Sequence, residues 1–247
     1  MLSGGGSIME HRDVSWRWRD REYVDCYVRF TRGLEFDGAH WTDRLGVGGA
    51  DTVVDLGCGE AKLLLALAPH VARCIGIDLS PGALDYARRN IVAAKVSNVE
   101  LVERDFRQLD LPVNSVKAFV SFAALHHVSD EEKRQVLAGV KEALVPEGLL
   151  HLQDDTFNFS PDQFDAMVPQ MYREFEKRFG PKAWSFLKKN LAGDDFECTP
   201  YLESLLSLIR SVGLEVIQVS ELGLNGAVIR AHKPSAESSD VYRLRPR

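Results

Sequence analysis

The chain has 247 residues, of which 45% are hydrophobic and 27% charged, the balance of an ordinary globular domain with an insertion or small lid. A formal net charge of −6 and the lack of any lysine- and arginine-rich stripe exclude an electrostatic footprint for nucleic acid. No run approaches the eighteen apolar residues of a membrane span, and Cys26, Cys58, Cys74 and Cys198 have no metal-ligand spacing. A cytoplasmic protein with free thiols and no resident metal is expected.

Residues 1–12, with Gly4-Gly5-Gly6-Ser7, read as a flexible leader. From Asp13 to Arg32 the chain is aromatic and charged, and Tyr23, Tyr27 and Phe30 are spaced to share one helical face. Thr52–Leu56 is a β-branched strand that runs into Gly57-Cys58-Gly59, a helix-period run to Pro69, and a second strand closing on Asp78. Ser80-Pro81 pairs an N-cap with a first-turn proline, which predicts a helix from Pro81 to Ala94. Val99–Glu103 and Val116–Phe122 read as strands. Asp130 is the expected cap of a helix over Glu131–Leu144, and Leu149–Gln153 follows as a fifth strand.

After Gln153 this alternation stops. Residues 154–199 carry helical segments around Pro161–Phe179 and Lys182–Leu191 with no strand between them, so they read as a helical insertion at the ligand-binding edge. A helix over Pro200–Val212 and strands over Leu214–Ser220 and Ala227–His232 close the domain. The tail, 234–247, is polar and reads as disordered. Strict strand–helix alternation implies an α/β, doubly wound, mostly parallel sheet.

The stretch Thr52–Asp78 organises the rest. Two glycines let backbone amides approach a ligand, and a carboxylate at the end of the next strand suits ribose hydroxyls. A dinucleotide fingerprint needs a third glycine where this chain has Lys62. Asp55, just before the first glycine, suits a cationic ammonium better than a pyrophosphate.

At this point the chain resembles the class I S-adenosylmethionine-dependent methyltransferases. The resemblance rests on Val53-Val54-Asp55-Leu56-Gly57-Cys58-Gly59, Ile77-Asp78-Leu79-Ser80-Pro81, Glu103-Arg104-Asp105-Phe106 and Ala124-Leu125-His126-His127-Val128. It implies a Rossmann-like seven-stranded sheet with an antiparallel last strand, filling 13–233, with an N-terminal helical cap over 13–45. It implies S-adenosylmethionine as cofactor: Asp55, Gly57, Cys58 and Gly59 around its methionine part, Asp78 on the ribose, and Leu79, Asp105 and Phe106 at the adenine. His126 and His127 stand where a methyl acceptor would sit, and a histidine suits proton removal near neutral pH. No Asn/Asp-Pro-Pro-Tyr run occurs there, which disfavours amide and base methylation.

The implied activity is methyl transfer to O, N or C of a small-molecule acceptor, by a monomer or homodimer that binds neither nucleic acid nor membrane. Two alternatives stay open: lyase or cyclase chemistry at the same cofactor site, and a non-catalytic cofactor-binding subunit. Tyr23, Tyr27, Asp154, Tyr172 and Trp184 are the expected substrate contacts. In this reading the cap and the insertion together roof one cavity.

Overall fold

A computed structural model describes residues 15–191 and 198–235. A 3-10 turn over Ser15–Arg19 leads into α1 (Arg21–Thr31), whose first turn is capped by Asp20. Helix α2 (Gly38–Leu45) is capped by Asp37 and ends at Gly46 with φ 61°. The central unit then runs β1 (Thr52–Leu56), α3 (Lys62–Leu67), β2 (Arg73–Asp78), α4 (Pro81–Ala94), β3 (Val99–Glu103) and β4 (Val116–Phe122). It continues through α5 (Asp130–Ala143), β5 (Leu144–Phe157), α6 (Phe164–Leu191), α7 (Leu202–Ser211), β6 (Glu215–Glu221) and β7 (Asn225–His232).

The seven strands form one sheet in the order β3-β2-β1-β4-β5-β7-β6. All pairings among β1 to β5 are parallel, whereas β7 runs antiparallel to both β5 and β6. This is the doubly wound sheet with an antiparallel last strand that the resemblance implies. Strand order reverses between β1 and β4, and the crevice outside their carboxyl ends is where open α/β sheets bind ligands. Strand β1 is buried on both faces because helices cover both: Val53 belongs to the core formed with α3 and α4 on one side, and Val54 to that formed with α5 and α7 on the other. Among the described residues, no helix is long and apolar enough to cross a membrane.

Two expectations are corrected in detail. Ser129 rather than Asp130 caps α5, because its hydroxyl and the Glu132 carboxylate close a reciprocal capping box. Strand β5 continues to Phe157, because Asp154 and Phe157 still pair with β7, so Asp154 lies within the sheet and not in the insertion. The two helical segments of the insertion abut at Gly180 (φ 77°), whose left-handed backbone breaks the helix direction. The leader, the tail from residue 236 and the Trp184 side chain lie outside the described residues.

Candidate functional site

Chain reversals at the ends of β1 and β4 create the site. Gly57 adopts φ 74°, and a Cβ added there would lie 2.6 Å from Cβ of Ala124 in the loop after β4. Only glycine lets these two loops approach so closely. Ala123 turns the β4 end with φ 48°, while its N–H donates to Gln153 O at 2.8 Å.

Between these loops lies a cleft of roughly 820 Å³, including its open mouth, within the size range of ligand pockets. Gly57, Gly59, Asp78, Leu79, Asp105, Phe106 and His127 all line it, with Trp18 and Tyr27 of the N-terminal cap above them. A second cleft of about 500 Å³ shares Tyr27, Gly57, Gly59, Glu60 and Phe122 with the first, and adds Asp55 and Cys58. The glycine loop is therefore the common wall of both.

The electrostatics are dominated by carboxylates. Asp78 accepts from Gly59 N–H and Ser80 N–H, both at 2.8 Å. Burial raises its pKa, and these amide hydrogen bonds oppose the rise. Burial first, and then the Asp78 charge, push Asp55 up to about 8. Asp105 caps the 3-10 turn Phe106–Gln108 and also accepts from Nε of Arg107 at 2.8 Å. Arg107 continues to Glu132 at 2.6 Å, tying the cleft wall to the start of α5. Four acids, Asp55, Glu60, Asp78 and Asp105, thus face the two clefts, together with Arg107 and Lys62, which pair with Asp105 and Glu60. Such a lining offers acceptors to hydrogen-bond donors.

The two histidines part company. His126 is turned inward, with Nδ1 2.6 Å from Asp154 Oδ1. Asp154 also accepts the N–H groups of Leu125 (2.7 Å) and Asp155 (2.8 Å). Burial disfavours its charge, but His126 and the Asp155 amide outweigh that and hold its carboxyl below the ordinary value. Asp154 is therefore a buried brace rather than a cleft residue, and it lines neither cleft. His127 does face the cleft, and its ring meets Trp18 edge-on at 5.2 Å between centroids.

The cap and the insertion differ likewise. Thr31, at the end of α1, donates to Glu60 Oε2 at 3.0 Å, and Lys62 Nζ donates to Thr31 O at 2.8 Å. These bonds clasp the cap to the glycine loop. Helix α6 instead meets the β6–β7 hairpin, where Glu174 Oε2 accepts from Leu224 N–H at 3.2 Å. Among the described residues, no α6 side chain lines either cleft, so Tyr172 does not reach them. Among the described residues the roof comes from the cap, to which Tyr27 contributes directly, and the Trp184 side of the expected shared roof lies outside them. Tyr23 packs against Trp18 behind it.

Two functional elements escape the sequence reading. One is the Thr31–Glu60–Lys62 clasp, which joins positions far apart in the chain. The other is Lys133, fully buried, whose ammonium donates to Val128 O and Cys198 O, both at 2.6 Å, and to Asp130 Oδ1 at 3.0 Å. It fixes the loop carrying the histidines to the chain leaving the insertion. Its signal was available: Lys133 shares a helical stripe with the buried Val136, Leu137 and Val140.

Known proteins resemble the chain at this site. Residues 53–148 match the family described as a methyltransferase domain. A carboxy-S-adenosyl-L-methionine synthase of Erwinia tasmaniensis is 24% identical over 66% of this chain and 67% of its own length. An uncharacterised methyltransferase of Oceanobacillus iheyensis is 33% identical over 43% of this chain and 48% of its own. A crystal structure of a SAM-dependent methyltransferase from Aquifex aeolicus superposes with a TM-score of 0.61 at 18% identity, covering 87% of this chain and 98% of that one.

Proposed function

We propose that this chain, which belongs through residues 53–148 to the class I S-adenosylmethionine-dependent methyltransferase family, transfers a methyl group to O, N or C of a small-molecule acceptor. S-adenosylmethionine is the cofactor. The observation that carries the reading is the acid-lined pair of clefts meeting at the glycine loop. The cofactor's ammonium, sulfonium, ribose hydroxyls and adenine amino group are all cations or donors, and the lining offers them acceptors.

Bound there, S-adenosylmethionine supplies a methyl group already activated by the sulfonium charge. The protein's part is alignment and water exclusion. Asp78 takes the ribose hydroxyls, Asp55 the ammonium, and Gly57, Cys58 and Gly59 flank the methionine chain. Leu79 and Phe106 hold the adenine, with Asp105 beside its amino group. Tyr27 and Trp18 close the mouth above the acceptor. His127 faces the cleft and removes the acceptor's proton where one must leave. His126, braced by Asp154, positions its neighbour and has no direct part in the chemistry.

The test is stoichiometric. Incubated with S-adenosylmethionine and a panel of hydroxylated, amine and carbon acids, the protein should yield one S-adenosylhomocysteine per methylated product. His127→Ala should lower the rate about a hundredfold and leave cofactor affinity intact. Failure to bind S-adenosylmethionine would overturn the reading. A second reading is favoured by the name of the Erwinia relative, a synthase of a cofactor derivative. Cofactor consumption without a methylated acceptor would support that chemistry instead.

A further inference from the structure

The methionine end of S-adenosylmethionine is a zwitterion, and Asp55 serves only its cationic half. The α-carboxylate shares one carbon with the ammonium, so the two groups cannot be parted. Asp55 lines the second cleft and not the first. The carboxylate therefore needs its donor in the second cleft, beside Asp55.

The glycine loop has few donors to spare. The N–H groups of Gly57 and Cys58 donate to Ile77 O at 2.8 and 3.2 Å, and that of Ala61 to Cys58 O at 2.8 Å. Gly59 N–H is held by Asp78. The Thr31 hydroxyl is spent on Glu60, which leaves Tyr27, kept by burial as a neutral hydroxyl, and Lys62. Among the described residues lining the second cleft, Lys62 is the one cation. Its ammonium carries three N–H groups. One donates to Thr31 O at 2.8 Å and one meets Glu60 Oε2 at 3.1 Å, so the third is open to a ligand. Thr31 ends α1, where a cation also complements the helix dipole.

We propose that Lys62 binds the cofactor's α-carboxylate and, through its hydrogen bond to Thr31 O, couples an intact methionine tail to the seating of the cap. The inference rests on the methyltransferase reading of the two clefts and adds a residue to it. A carboxylate on the third N–H fixes the Lys62 side chain in the geometry that also holds α1. The cap then closes over a complete cofactor and less firmly over one without its carboxylate. The clasp is in this way a specificity device as well as a tether.

The test compares S-adenosylmethionine with decarboxylated S-adenosylmethionine, which keeps the ammonium and sulfonium and lacks only the carboxylate. In calorimetry on the whole chain, wild type should bind the intact cofactor at least about tenfold more tightly, the effect of one charge-assisted hydrogen bond. Lys62→Met should weaken S-adenosylmethionine about tenfold and leave the decarboxylated compound within about twofold. In hydrogen exchange, residues 27–31 of wild type should gain more protection from the intact cofactor, and those of the variant should respond alike to both. An equal loss of affinity for both ligands would reduce Lys62 to a structural tether and overturn the proposal. A preference that survives Lys62→Met would hand the carboxylate to Tyr27 or the backbone and overturn it too. Should the variant fail to fold, wild type decides: equal affinity or equal protection from the two ligands contradicts the proposal, and a difference in both upholds it. If neither ligand binds wild type, the methyltransferase reading falls and this inference with it; every other negative result strikes the inference alone.

Discussion

The cap and the insertion are both helical additions at the carboxyl edge of one sheet, yet they settle differently. Helix α1 is clasped to the glycine loop through Thr31, Glu60 and Lys62, and sends Tyr27 into the cleft. Helix α6 holds the β6–β7 hairpin through Glu174 and, among the described residues, sends nothing there. The difference teaches that a buried helical face reports only that something covers it. What covers it is decided by the few polar contacts that fix the helix in place.

Four changes break or sharpen this contrast, the largest first. Lys133 is the point where the chain leaving the insertion is tied to the histidine loop. Lys133→Met would leave the carbonyls of Val128 and Cys198 buried without their donor, at a cost of roughly 2–4 kcal/mol. Urea unfolding should show that loss; a change under about 0.5 kcal/mol would mean the two regions are not coupled there.

Next, Asp78→Ala should weaken S-adenosylmethionine at least tenfold, since each charge-assisted bond to the ribose contributes about 1.5–3 kcal/mol. Calorimetry reads this directly, and unchanged affinity would remove the nucleoside from under the cap.

The third change sets one tyrosine against another. Tyr27→Ala should cut kcat/KM about tenfold by opening the roof, whereas Tyr172→Ala should stay within about twofold. Equal losses would restore a roof shared by cap and insertion.

The smallest effect is one of pH. Because burial and Asp78 raise the Asp55 pKa to about 8, the folded protein free of cofactor favours its protonated form. That stabilisation is complete below about pH 4, where the unfolded side chain is protonated too, and fades as pH rises through 8. Asp55→Asn stays neutral throughout, so its Tm should gain on wild type between pH 5 and 9. A constant offset across that range would contradict the shift.

The sheet was legible because its signals are local. A β-branched run, two glycines and a strand-closing carboxylate lie within residues 52–78, and the structure sets them at the reversal of strand order. The placement of Gly57, Asp78 and Phe106 on one cleft follows from that pattern. What distinguishes His126 from His127 is not local: it is Asp154, 28 residues away, which turns one ring inward. The clasp on Glu60 is of the same kind, joining positions 29 residues apart. The destination of α6 depends on a hairpin that the chain reaches only at Gly223 and Leu224. Spacing gives a helix its apolar face, but the partner is chosen by contacts at a distance.

Hydrogen exchange with and without S-adenosylmethionine tests the central claim most directly. If the cofactor lies between the glycine loop and the cap, then Gly57–Lys62 and α1 should gain protection on binding, while α6 stays as it was. Protection gained in α6 and absent from α1 would place the cofactor's roof on the insertion and contradict the account.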